Sequence, residues 1–325
     1  MSNKIYEDKL FNEDLKYEFI NQYGFGTQKV IVRLFKVSQV MESDMGKDIY
    51  DFNREELRKF FFYLLPKTEA ASNSNVTWIQ KYIEWAIDEG YKEGLNPLDM
   101  VDSTWKKQFA NANLKQLWTD KEIDEIVDPT KRANYQDAAL VMMLFSGIKG
   151  QGNSEILSLR EKDINFKTNE VLLHDEDGST RTTIVSDKCI EFMRKALNET
   201  EYEKMNGFAS PDIKAPTAKL VENEYVIKSA TTRTIHFEEA DKFIVSRRIS
   251  KIADELNMPT FTPTAIFRSG MLALAKDAYL QSGELTDDAV KVIQVKFGGS
   301  GDTIDYRLKQ DLLNAELVKE VYQIP

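Results

Sequence analysis

Apolar residues recur with the period of an α-helix over most of this chain. Val76, Ile79, Tyr82, Ile83 and Ala86 fall three or four positions apart, which lines them along one face of a helix. "YEDKLFNEDLKYEFINQY", "QKVIVRLFKVSQVMES" and "NYQDAALVMMLFSGI" read the same way, as do "VSRRISKIADELN" and "PTAIFRSGMLALAKDAYLQ". One stretch breaks the pattern. "EVLLHDEDGSTRTTIVS" is β-rich on both sides of Asp177-Gly178, a dipeptide that favours the tight turn of a hairpin. The chain therefore reads as mainly α with a small β-hairpin or sheet.

Caps and breakers divide this helical text. Thr27 suits an N-cap after the Gly24-Phe25-Gly26 break, Asn53 caps "NREELRKFFFYLL" ahead of Pro66, and Gly90 stops "SNSNVTWIQKYIEWAIDEG". These helices make an N-terminal bundle, residues 1–105. "GLNPLDMVDSTWKKQFANANLKQLW" has Asn-Pro and no sustained apolar period, so it reads as a surface linker, placed at 106–117. Thr119 and Glu122 then form a capping box that opens a second domain, 118–325. In that domain "NSEILSLREKDIN" reads as a second helix after the apolar one.

At 325 residues the chain is long enough for two such cores. No apolar run approaches the roughly 20 residues that a membrane helix needs, and the N-terminus has no apolar signal region, so a cytoplasmic protein without a membrane partner is expected. Cys189 is the one cysteine, read as a small buried helix residue, and His174 and His236 are the only histidines. No cofactor and no metal site are expected from that inventory. The net charge of −10 argues against a partner held by bulk electrostatics, so a DNA-binding face would have to be a local patch. "GIKGQGNS" has the glycine spacing of a phosphate-binding loop, but Asn153 stands where the lysine belongs, and the segment joins two helices.

A helical bundle, a linker, a larger helical domain with one hairpin, and "GGSGDTIDYRL" near the end together resemble the tyrosine recombinases, or phage integrases, over essentially the whole chain. That resemblance implies a two-domain clamp: a helical core-binding domain followed by a recombinase catalytic-type domain. In the family a tyrosine attacks the scissile phosphodiester. Two arginines and histidines stabilise the developing charge, and a hairpin lysine protonates the leaving oxygen. Carried over by position, Tyr306 is the nucleophile, with Thr303 at the family's spacing, and Arg268 in "FTPTAIFRSG" is the second arginine. Lys149 in "SGIKGQGNSEILSL" replaces the first arginine, which keeps the charge but loses the fork. Ala265 and Gly299 stand where histidines belong, and Asp175, Glu176 and Asp177 surround the place of the lysine. Losses of this kind together are expected to remove about 10⁶ or more in rate. Lys149, Arg268 and Tyr306 are thus expected as vestiges, and no enzymatic activity is expected.

The pattern further resembles the recombinase-fold master repressors of SPbeta-type temperate phages. That resemblance implies a sequence-specific DNA-binding repressor that maintains lysogeny, associated with the host nucleoid, with double-stranded operator DNA as partner. The alternative is an active recombinase using Tyr306, with Lys149 as phosphate clamp and Arg181 or Lys296 as proton donor. Candidate DNA contacts at helix openings are Thr27, Gln28, Lys29 and Arg33, then Asn73, Asn75, Thr77 and Lys81. In the second domain they are Lys149, Arg233, Arg247, Arg248, Arg268 and Tyr306. The final amphipathic "DLLNAELVKEVYQIP" is a candidate for homo-oligomer contacts.

Overall fold

The computed structural model describes residues 9–110, 114–208, 214–232 and 234–324. The chain forms two compact units, Met1–Leu114 and Lys115–Pro325.

The first unit is helical: α1 (Glu13–Ile20), α2 (Phe25–Met45), α3 (Arg54–Tyr63), α4 (Glu69–Asp88) and α5 (Ser103–Lys107). Its core is aromatic. The rings of Phe19, Phe35 and Tyr82 meet edge to face, from α1, α2 and α4. Asn53 and Glu56 close a capping box on α3, an arrangement that stabilises a helix start by about 1 kcal/mol. Two helix starts differ from the sequence expectation. The N-cap of α2 is Gly24, in extended conformation, so Thr27 lies inside the first turn and caps nothing. Helix α4 opens at Thr68, whose hydroxyl accepts from the Ala71 amide at 3.0 Å, several residues before the expected start. The stretch read as a surface linker carries α5, fixed to α4 by Ser72 Oγ donating to the Lys106 carbonyl at 2.6 Å. Its neighbour Phe109 is buried against Phe61 and Trp105.

Beneath α1 lies a charged cluster. Lys16 is fully buried, its Nζ 2.5 Å from Glu42 and 3.3 Å from Asp48. Ser38 and the Ile49 amide donate to the Glu42 carboxylate. Burial pushes the Glu42 carboxyl up to about 7, against the opposing pull of the Lys16 ammonium.

The second unit comprises α6 (Asp120–Ile126), α7 (Tyr135–Phe145), α8 (Ser154–Leu157), β1 (Ile164–Asn165), β2 (Glu170–His174), β3 (Thr180–Ile184), α9 (Asp187–Asn198), β4 (Glu201–Glu203), β5 (Thr217–Lys219), α10 (Ile244–Glu255), α11 (Pro263–Ser282), α12 (Asp287–Lys296), α13 (Tyr306–Asp311) and α14 (Ala315–Tyr322). Helix α7 is the axis of this core, buried from Gln136 to Leu144 and packed by α9 and α11. Gly270 permits the close approach of α11, since a Cβ there would lie 1.9 Å from the Phe145 carbonyl oxygen. The helix expected over "NSEILSLREKDIN" is shorter than its pattern suggests, with only the four residues of α8 in regular form.

The antiparallel sheet runs β1-β2-β3, with its hairpin turned at Gly178, φ +84°. Its register sets Leu173 opposite Arg181 and Val171 opposite Thr183. A separate ribbon pairs β4 with β5. Helix α14 packs on α11 of its own chain with Val318 fully buried, so an oligomer is not required to cover its apolar face. No helix among the described residues is long and apolar enough to cross a membrane.

Candidate functional site

Because paired residues on neighbouring strands point to the same face, the register that places Arg181 opposite buried Leu173 turns Arg181 inward. Its fork closes on Glu155 at the start of α8, with Nε donating to Oε1 at 2.6 Å and Nη2 to Oε2 at 2.7 Å. Nη2 also donates to the Gly147 carbonyl at 2.7 Å, and Nη1 to the Lys296 carbonyl at 2.8 Å. One side chain thus ties the hairpin to the ends of α7 and α12. The Glu155 side chain is only 4% exposed, and such a bidentate pair is the stronger kind of ionic contact.

This pair forms the floor of a cavity of about 330 Å³, walled by Lys149, Asp175, Phe267 and Phe297. The Lys149 amide donates to Glu155 at 2.8 Å, while its ammonium sits 5.7 Å from the centre of the Phe267 ring. Asp175 accepts from the Gln151 amide, the Ser154 hydroxyl and the Glu176 amide, which clips the hairpin tip to the glycine-rich turn. Burial works to raise the Asp175 carboxyl, but these hydrogen bonds and the nearby Arg181 charge hold it below its ordinary range. Gly298, at φ +82°, passes beside the Arg181 guanidinium.

Of the residues at the family's reactive positions, Lys149 lines this cavity, whereas Arg268, Ala265, Gly299 and Tyr306 do not. Arg268, on the second turn of α11, is half-buried and has no hydrogen-bond or ion-pair partner among the described residues. Ala265 lies in the first turn of the same helix, its amide donating to the Thr262 hydroxyl, and it packs against the core. Tyr306 begins α13 and is 76% exposed. The loop before it is wound around Gln294, whose amide donates to the Ser300 and Thr303 carbonyls and whose carbonyl oxygen accepts from the Asp305 amide. Gly299 sits tightly in that winding: a Cβ would come 2.6 Å from Gln294 Cγ.

The proton donors considered for an active enzyme are both engaged. Arg181 is held as described, and Lys296 donates to the Ile184 carbonyl at 3.1 Å, with burial lowering its pKa. Burial also pushes the Cys189 thiol up to about 12, as suits an inert core residue. Among the described residues no group of three or more His, Cys, Asp or Glu is placed to hold a metal ion.

The other predicted contacts divide by burial. Lys29, Arg33, Asn73 and Lys81 are exposed, Thr27, Gln28 and Thr77 are half-buried, and Asn75 is buried. Gln28 is turned back, donating to the Tyr23 carbonyl at 2.9 Å. Arg247 is exposed and paired with Asp241 at 3.1 Å. Arg248, expected on a DNA-facing surface, is instead 6% exposed: its guanidinium donates to Gln136 and the Lys228 carbonyl, near Asp137 and over the Tyr202 ring. A guanidinium so enclosed cannot reach a phosphate. Arg233 lies outside the described residues. The sequence reading missed the Arg181–Glu155 pair as an organising contact. Strand alternation could have turned Arg181 inward, where it requires an acid, but its partner 26 positions away carries no local signal.

Comparison with known proteins gives a consistent result. Residues 117–323 match the family described as MrpR, C-terminal catalytic domain, and residues 10–88 match MrpR, N-terminal core-binding domain. The chain is 27% identical to the SPbeta prophage-derived uncharacterized protein YopR of Bacillus subtilis (strain 168), over 96% of this chain and 97% of that protein. Among solved structures, the Tn1549 transposon integrase in complex with a circular intermediate DNA is similar with a TM-score of 0.53 at 14% identity, covering 96% of this chain and 95% of that one. A lambda integrase dimer bound to a COC' core site is similar with a TM-score of 0.52 at 13% identity, covering 94% and 96%.

Proposed function

The chain belongs to the MrpR family, with the two-domain fold of tyrosine recombinases, and on that premise we propose that it is a sequence-specific DNA-binding repressor of a temperate phage that no longer recombines DNA. The observation that carries this reading is the use of the Arg181 fork. It is spent on Glu155 and two carbonyls, while Lys149 on the cavity wall keeps a cation free of carboxylate partners, as does Arg268, the residue after the lining Phe267. A pocket of that kind can hold a backbone phosphate but offers no histidine, and no lysine at the hairpin tip, to move protons. The prophage source of YopR and the DNA in the integrase complexes support the phage and DNA parts of the reading.

Titration of the protein against phage promoter duplexes and random duplex, at several salt concentrations, tests it. Preference for a phage site is expected, with log affinity falling linearly in log salt. Lys149→Ala and Arg268→Ala should each lower that slope by about one, and Tyr306→Phe should leave affinity unchanged. Equal binding to all duplexes would refute repression. The exposure of Tyr306 favours a second reading, residual strand cleavage. A covalent adduct on a nicked suicide duplex, absent with Tyr306→Phe, would establish it.

A further inference from the structure

The start of α2 carries an aromatic ring that the fold does not use. Phe25 is the first residue of that helix, is 73% exposed and joins no apolar cluster. Its ring carries the Lys29 ammonium 4.2 Å from its centre. Gly24 and Gly26 flank it, and neither glycine position is crowded, since a Cβ at either would meet nothing within 4 Å.

The charge pattern of the two stretches that meet beside it indicates what meets the ring. The chain has 53 acidic residues in 325, yet none lies between Glu18 and Glu42 or between Glu69 and Glu84. The fold joins these two acid-free stretches: the Tyr23 ring meets Trp78 edge to face at 5.0 Å, and the Lys81 ammonium lies 4.7 Å from the centre of the Trp78 ring. Lys29, Arg33 and Lys81 are all exposed on them. An apolar protein partner that took the ring would have to desolvate cations without pairing them, whereas duplex DNA supplies phosphates for the cations and an apolar group for the ring. In the major groove that apolar group is the thymine C5-methyl.

Resting on the DNA-binding reading above, we infer that Phe25 is a specificity-determining residue, its ring contacting a thymine methyl in the major groove while Lys29 contacts the adjoining backbone. Recognition at that base is then apolar and indifferent to salt. Gln28, turned back onto Tyr23, leaves the ring as the group that α2 presents there.

Selection from a random duplex library with the wild-type protein and with Phe25→Ala, side by side, tests this. The wild type should enrich a site with a thymine whose preference the variant loses. On that site the variant should bind about 10-fold more weakly, with random-duplex affinity, salt slope and thermal midpoint unchanged. Deoxyuridine at that thymine should weaken the wild type by a similar factor and leave the variant unaffected. The inference is overturned if the variant enriches the same site with wild-type affinity, if it weakens all duplexes equally, or if no thymine methyl matters. A wild type that enriches no sequence defeats the DNA-binding reading itself, and this inference with it.

Discussion

Arg181 and Glu155 are fork to fork, with two N–H donors on two carboxylate oxygens at 2.6 and 2.7 Å. Truncating one partner leaves the other charge buried. Arg181→Ala should therefore cost about 3 kcal/mol, and Arg181→Lys, which keeps charge without the fork, should cost less. Thermal unfolding of the full chain measures both. Equal stability of wild type and Arg181→Ala would show that the pair does not hold the hairpin.

Arg247 and Arg248 are neighbours with opposite surroundings, and their removal should differ in its cost to folding. Arg248→Ala strands the buried Asp137 carboxylate and should destabilise by about 3 kcal/mol or more. Arg247→Ala removes an exposed pair with Asp241 and should change stability by less than about 1 kcal/mol. If the two variants melt together, the enclosure of Arg248 is wrong.

The buried Glu42 gives the first unit a pH signature. Its folded-state pKa, about 7, lies above the ordinary carboxyl value, so between roughly pH 4.5 and 7 the folded protein holds a proton that the unfolded chain has released. Stability from this group is full below that window and is lost as pH rises through it. Glu42→Gln should flatten the corresponding fall. Chemical denaturation of both proteins at pH 5 and pH 7.5 measures the difference, and parallel curves would exclude Glu42 as its source.

Gly270 is a contact point between α11 and the end of α7. Gly270→Ala places a methyl carbon against the Phe145 carbonyl and should cost about 2–3 kcal/mol by overpacking, although alanine is the better helix former. A thermal midpoint equal to or above that of wild type would contradict the close approach.

Local signals made much of the fold legible. Asp177-Gly178 marked the hairpin, and Asn53 and the Thr119–Glu122 box marked helix starts, because each acts within a few residues. Helix α4 began earlier than read because Thr68 caps a short polar and alanine stretch that apolar period does not detect. Arg248 and Asn75 were assigned to a surface by residue type, whereas helical phase puts them inside. Arg248 is three residues after Val245 and four before Ile252, and Asn75 is four before Ile79, all buried. The Arg181–Glu155 pair joins residues 26 positions apart, and no local pattern encodes that contact.

Gly299 sets what the turn before Tyr306 can accommodate. A Cβ there would meet Gln294, whose side-chain amide is committed to Ser300, Thr303 and Asp305. A larger residue at 299 therefore requires the turn to be rewound. Residues 294 and 299 are thus epistatically coupled: a side chain at one is tolerated only with a compensating change at the other.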